Sequence, residues 1–133
     1  MKLTAKSEYA LLALIDMVEH YDEGYIKIVN IAERKQIPRK FLENILATLR
    51  TAGYCLSRRG GDGGYKLAKK PDRITLAEIM RLMDGALAPV ESVSTFFYRN
   101  TPIEKNEKLK KIMKEIRDYI AWKLENITFA DLV

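Results

Sequence analysis

The chain has 133 residues, 47% hydrophobic and 31% charged, a balance that suits a folded domain and excludes an intrinsically disordered one. One cysteine excludes an internal disulfide, and no apolar run approaches the roughly 18 residues of a membrane span, so a cytoplasmic protein is expected. The net charge of +5 is uneven: residues 1–33 carry −3, residues 34–73 carry +8, and residues 74–133 carry none.

The first predicted element is a helix from Thr4 to about Tyr21. Leu11, Leu14, Ile15 and Val18 recur at helical spacing, and Ala10, Ala13 and Met17 form a second apolar face, which implies burial on two sides. Thr4 or Ser7 is the candidate cap. Asp22-Glu23-Gly24 ends this helix, and the brief alternation Tyr25-Ile26-Lys27-Ile28 predicts a short strand. A short helix follows, with Asn30 as its candidate cap and Ile31-Ala32 turned inward. Pro38 breaks this helix and opens the next, which runs to Gly53 with Phe41, Leu42, Ile45, Leu46 and Leu49 as its buried stripe. Two helices across a tight turn form a candidate helix-turn-helix, a pattern shared with many other helical hairpins.

Tyr54–Arg58 and Tyr65–Leu67 are short extended runs around Arg59-Gly60-Gly61-Asp62-Gly63-Gly64, which reads as a β-hairpin. The glycines do not make a nucleotide loop, because no GxxxxGK[ST] pattern is present and no helix starts directly after them. A hairpin after a helix-turn-helix is a wing. Thr75 and Glu78 then form a capping box opening a helix with Leu76, Ile79, Met80 and Met83, closed near Gly85. Residues 86–103 lack periodicity and contain Pro89 and Pro102. From Glu104 to about Ile127 a long amphipathic helix is predicted, about 36 Å at 1.5 Å per residue, with its apolar stripe meeting a second copy of itself. Thr128–Asp131 repeats the capping pattern.

Taken together these segments resemble winged-helix bacterial regulators of the type that includes IscR, NsrR and CymR. The resemblance covers nearly the whole chain. It rests on MKLTAKSEYALLALIDM in the first helix, IAERKQIPRKFLENILATLRTAGY in the helix-turn-helix, RGGDGGYKLAKKPDRITLAEI in the wing and next helix, and ITFADL near the end. The RG-x-x-GGY-x-L wing is the most specific element. Cluster-binding members carry three cysteines in the connector, whereas APVESVSTFFYRNTPIEKNEK has none, and Glu91, Glu104 and Glu107 are poor substitutes for thiolates. The resemblance therefore implies a member with no iron–sulfur cofactor and no metal. Its fold class is mainly α with a small β wing: a winged helix-turn-helix in residues 1–85, a connector and candidate sensing segment in 86–103, and a dimerisation helix with a C-terminal turn in 104–133.

The function expected is that of a homodimeric, sequence-specific DNA-binding regulator, usually a repressor in this family, on a partly palindromic operator. Arg39, Lys40, Glu43 and Asn44 start the second helix of the motif, where such helices meet base edges in the major groove; the alternative is a solvated face. Arg59, with Gly60, resembles the family's minor-groove arginine at the wing tip, and Arg50, Arg58 and Lys66 are candidate phosphate contacts. Leu109, Met113, Ile116, Ile120, Leu124 and Ile127 are the candidate dimer interface.

Cys55 on the first wing strand reads as a small buried hydrophobe, with a redox switch as the alternative. His20 stands alone and reads as a surface residue at a helix end. Tyr119 and Trp122 read as core or dimer packing. Phe96, Phe97 and Tyr98 are expected to pack on the dimer helix or to line a pocket for an unidentified small-molecule effector. An enzyme is disfavoured by the absence of any nucleophile or metal motif, and no catalytic residue is assigned. A winged-helix module binding protein rather than DNA is disfavoured by the +8 segment and Arg59.

Overall fold

The computed structural model describes residues 1–133 and contains α1 (Ala5–Glu19), α2 (Ile28–Lys35), α3 (Arg39–Thr51), β1 (Cys55–Arg58), β2 (Gly64–Leu67), α4 (Leu76–Asp84) and α5 (Glu107–Glu125), with single 3-10 turns between several of them. The two strands pair antiparallel, Cys55 opposite Leu67 and Arg58 opposite Gly64. No helix is long and apolar enough to cross a membrane.

α1 is the central element. Thr4 caps it, its hydroxyl accepting the Ser7 N–H at 3.2 Å. Ala10, Ala13, Leu14 and Met17 are buried, and the helix packs against α2, α3 and α4, as its two apolar faces imply. The α2–α3 turn is made by Gln36, whose φ of 55° is left-handed, and the Ile37 N–H then donates to the Ala32 carbonyl at 2.9 Å. Leu42, Ile45, Leu46 and Leu49 of α3 are fully buried. Phe41, expected in that stripe, sits at its rim, partly exposed and edge-on to Tyr9 at 5.4 Å.

Two other local expectations change. Asn30 does not cap α2: the helix starts at Ile28 with Lys27 at the cap position and no side-chain cap bond. The strand expected over Tyr25–Ile28 shrinks to one bridge, in which Ile26 and Tyr65 exchange two N–H···O bonds of 2.8 Å, because α2 begins two residues later. The capping box on α4 is present, with Thr75 Oγ1 accepting the Glu78 N–H and a Glu78 carboxylate oxygen accepting the Thr75 N–H.

The C-terminal turn returns to the first core. Leu76 N–H donates to the Ile127 carbonyl and Phe129 N–H to the Ile74 carbonyl, placing the Phe129 ring, fully buried, in the same cluster as α1 and α3. α5 starts at Glu107 rather than Glu104. Pro102 opens only a 3-10 turn, and Asn106 caps the helix by accepting the Leu109 N–H at 2.9 Å. At 19 residues it is about 28 Å long.

Candidate nucleic-acid interface

The first turns of α3 leave Arg39, Lys40, Glu43 and Asn44 exposed, because Leu42, Ile45 and Leu46 on the opposite face are buried in the core. Arg39 Nε lies 3.5 Å from the Glu43 carboxylate one turn on, a solvent-exposed pair of small energetic weight. Beside them a groove of about 520 Å³ separates α3 from the wing. It is lined by Arg39 and Arg50 of α3, Lys27 before α2, Arg58 and Arg59 of the wing, and the wing glycines. Lys40, Glu43, Asn44 and Lys66 do not line it.

The wing's shape depends on two glycines. A Cβ on Gly63 would lie 2.2 Å from the Arg58 carbonyl oxygen, so the turn closes only without a side chain there. Gly64, with φ of 144°, approaches the Ile26 carbonyl just as closely, which is how the wing seats on the segment before α2. Arg58 is fixed twice, donating to the Asp62 carbonyl at 2.8 Å and lying 4.4 Å from the centre of the Tyr25 ring. Lys66 lies 4.8 Å from that same ring. Arg50 reaches Ser57 Oγ at 3.4 Å, and Arg59 at the tip has no partner.

Not every cation of the +8 segment is available to DNA. Arg34 makes two bonds, of 2.8 and 2.9 Å, to the buried carboxylate of Asp16, and this hydrogen bonding raises its pKa further. Lys35 pairs with Glu19 at 2.6 Å. These two tie α2 to α1, while the others remain outward. At the wing base, burial and a hydrogen bond to Glu78 push the Tyr54 phenol up to about 12. Burial works to raise the Glu78 pKa, but bonds from Thr75 and Tyr54, with Lys69 nearby, outweigh it and hold the carboxyl below its ordinary value. Cys55 is buried, as a small apolar residue would be, and burial pushes its thiol up to about 12.

Tyr25 and Lys27 were missed in the sequence. The available signal was the alternation around Ile26: with Ile26 inward, its neighbours face the wing. His20 is at the end of α1, its Nδ1 2.9 Å from the Asp16 carbonyl oxygen.

The stripe predicted on α5 divides in two. Ile120 and Leu124 pack on Ala77, Met80 and Leu87 of their own chain, and Met113 is half-buried. Leu109 and Ile116 face outward, joined by Ile112, which the sequence stripe omitted. Tyr119 and Trp122 are exposed, at 65% and 61%, and so are not core of this chain. The half-buried Ile127 lies beyond the helix, its carbonyl bonded to Leu76. The physical reason is periodicity. Positions 113, 117, 120 and 124 follow one face and 109, 112, 116 and 119 another, and a single line through both crosses the boundary.

In the connector, Phe96, Phe97 and Tyr98 remain largely exposed. Phe96 lies under the Arg81 guanidinium, 5.1 Å from ring centre, and borders α5 with Phe97 near Arg117 and Ala121. Phe97 and Tyr98 also line an open cleft of about 580 Å³ with Met80, Asp84, Pro89 and Arg99.

The family model described as "Rrf2: Iron-dependent Transcriptional regulator" matches residues 3–133. The chain is 45% identical over 89 residues to a putative HTH-type transcriptional regulator of Synechocystis, a match covering 67% of this chain and 60% of that protein. It is 32% identical over 133 residues to the HTH-type transcriptional regulator CymR of Bacillus subtilis, covering 99% of this chain and 89% of the relative. The solved structure of that B. subtilis protein, the global cysteine regulator of that organism, superposes with a TM-score of 0.81 at 31% identity, covering 99% of this chain and 95% of the other. IscR of T. potens superposes with a TM-score of 0.76 at 30% identity, covering 99% and 85%.

The family description mentions iron, and the residues here do not fit a thiolate-held cluster. The connector has no cysteine or histidine, and nowhere do three metal-ligating side chains converge. Glu91 faces Arg99 at 3.5 Å, and Glu104 is bonded to Lys110 and Tyr98.

Proposed function

Because this chain belongs to the Rrf2 family of transcriptional regulators, whose DNA-binding members are not enzymes, we propose that it acts as a homodimeric repressor on a partly palindromic operator, without an iron–sulfur cluster. The observation that carries this reading is the convergence of Arg39 and Arg50 with Arg58 and Arg59 on one groove between α3 and the wing. In it, the start of α3 enters the major groove, where Arg39, Lys40, Glu43 and Asn44 read base edges. Arg59, beside Gly60, enters the adjacent minor groove, whose negative potential attracts an unpaired guanidinium. Arg50, Arg58 and Lys66 hold phosphates and set register without reading sequence.

Dimerisation goes through the outward face of α5, with Leu109 and Ile116 of the predicted set at its centre and Met113, Ile120, Leu124 and Ile127 at its inner margin. On this reading residues 1–85 read DNA, 86–103 take up a signal from a small-molecule effector in the connector cleft, and 104–133 join the copies. Two-fold symmetry then sets the recognition helices about one helical turn, or a multiple, apart, so the operator has matching half-sites. A repressor of this kind acts by occupying DNA that polymerase needs.

The test is binding to genomic fragments selected by the protein, followed by footprinting. Expected are protected half-sites related by two-fold symmetry and a log K that falls steeply with log salt. A flat salt dependence, or protection of a single unrepeated site, would overturn the reading.

A further inference from the structure

We infer that Tyr25 is a positioning residue of the DNA interface: its ring sets Arg58 and Lys66 at one spacing, so that the two form a single seat for one backbone phosphate. The inference rests on the proposed wing–DNA reading and adds to it a residue outside both the helix-turn-helix and the wing.

The placement follows from the strand register. Arg58 is opposite Gly64 and Leu56 opposite Lys66, so Arg58 and Lys66 share one face of the hairpin. The opposite face carries Cys55 and Leu67 into the core. Ile26 pairs with Tyr65 and is buried with that inner face, so Tyr25, one residue earlier, points to the outer face. Gly64 leaves the outer face without a side chain between Arg58 and Lys66, and the Tyr25 ring comes to 4.4 Å from the guanidinium and 4.8 Å from the ammonium.

Two like charges held beside one ring repel each other. Neither has a carboxylate within 4 Å, in contrast to Arg34 and Lys35, which are paired. The arrangement persists because the ring quadrupole attracts both, and because the Asp62 carbonyl fixes Arg58. An anion is the ligand that suits such a pair. A phosphate accepting from both cations would offset their like charge and complete charge-assisted bonds, bidentate from the planar guanidinium. The ring takes up part of the cost of ordering two long side chains before the phosphate arrives.

A labelled 30-base-pair duplex of random sequence tests this, because non-specific binding is dominated by phosphate contacts. Tyr25→Leu should weaken binding roughly three- to tenfold and lower the salt slope by about one, while Tyr25→Phe, keeping the ring, binds as the parent does. Arg58→Ala should do the same, and the double variant Tyr25→Leu/Arg58→Ala should be no worse than Arg58→Ala by more than about twofold. Arg58→Lys keeps the charge and loses the planar stacking at an exposed site, so it tests the same point should Tyr25→Leu fold poorly; it should lose about as much as Tyr25→Leu. Losses that multiply in the double variant, or Arg58→Lys binding at full strength, would overturn the inference. Arg59→Ala on a selected operator separates the two readings. If it leaves sequence preference intact while the Tyr25–Arg58 coupling holds, the minor-groove reading fails and the phosphate seat stands.

Discussion

α3 and α5 are both amphipathic, yet they are completed in different ways. α3 buries four residues, Leu42, Ile45, Leu46 and Leu49, in 13 positions, whereas α5 buries none in 19. The first half closes on α1 and borrows Phe129 from the far end of the chain to do so. The second half rests Ile120 and Leu124 on α4 and leaves Leu109, Ile112, Ile116, Tyr119 and Trp122 to water. A contiguous apolar face of that size on a chain with a finished core is what an interface looks like before its partner arrives. On the proposed reading this difference locates function: the closed half carries the DNA-facing cations, and the open half pairs two copies so that a second set is supplied.

The largest expected effect breaks the open half alone. Ile112→Asp/Ile116→Asp should leave the fold intact and produce a monomer by sedimentation, since unpaired charges cannot enter an apolar seam. Loss of the second recognition helix should cost operator affinity about 3 kcal/mol or more, over a hundredfold. Ile120→Asp, four residues on, should instead lower Tm, because Ile120 packs on Ala77, Met80 and Leu87. If the double variant stays dimeric, or if both changes act alike, the division of α5 into two faces is wrong.

Inside the closed half the next effect is Arg34→Ala. It strands the buried Asp16 carboxylate, which accepts both guanidinium bonds. Losing one partner of a buried pair costs about 3–5 kcal/mol, and the lower end applies because Arg34 is itself 37% exposed. Thermal unfolding should shift down by roughly 10 °C. A variant as stable as the parent would mean that the Arg34–Asp16 pair adds nothing to the joint between α1 and α2.

These two regions also differ in how legible they were. Hydrophobic period, the Pro38 break and the glycine cluster specify α1 to β2, because each is a local rule acting on adjacent residues. Tertiary choices were hidden. Phe129 lies 55 positions from its hydrogen-bond partner Ile74, and nothing local marks it as core. Asn30 has the chemistry of a cap, but the helix begins at Ile28, two residues after the bridge between Ile26 and Tyr65. Ile112 was passed over because a stripe drawn at one spacing slides between two faces of α5. At the interface, Arg39 and Arg59 were readable as exposed cations in a recognisable motif, whereas Tyr25 was marked only by the alternation around Ile26 and gains a role once the register places Arg58 and Lys66 on one side. Counting charge alone also overstates the basic face, since Arg34 and Lys35 are spent on α1.

Within the proposed interface, Arg59→Ala should cost roughly 1–3 kcal/mol on a selected operator and relax preference at one A·T-rich position, while Lys66→Ala weakens all sequences about equally. Equal losses on operator and random DNA from both would remove the distinction between reading and holding.

A smaller effect lies at the wing base. Glu78 has a depressed pKa in the folded protein, so it contributes stability above its unfolded value, near 4.3, that is lost as pH falls through the folded one. Melting between pH 6 and pH 3 should therefore steepen at the acid end, and Glu78→Gln should flatten part of that slope. An identical acid profile in the variant would mean that the bonds from Thr75 and Tyr54 do not favour the ionised carboxyl.

The smallest expected effect is on the one thiol. Cys55 opens β1 facing the core, 1% exposed, opposite Leu67 and alongside the inward residues of α3. With its pKa pushed up to about 12, the thiol stays protonated at pH 7, and the thiolate is the species that attacks an alkylating agent or a peroxide. Iodoacetamide should therefore label the folded protein far more slowly than the protein in urea, at a rate set by opening of the wing. Mild peroxide should leave operator affinity within about twofold. Cys55→Ala should lower stability by about 1 kcal/mol through the small void it leaves, with no change at the DNA face. Rapid native labelling, or a tenfold affinity change on oxidation, would show that the wing opens readily at its root. The contrast between a closed reading half and an open pairing half would then fail at the strand that joins the wing to the core.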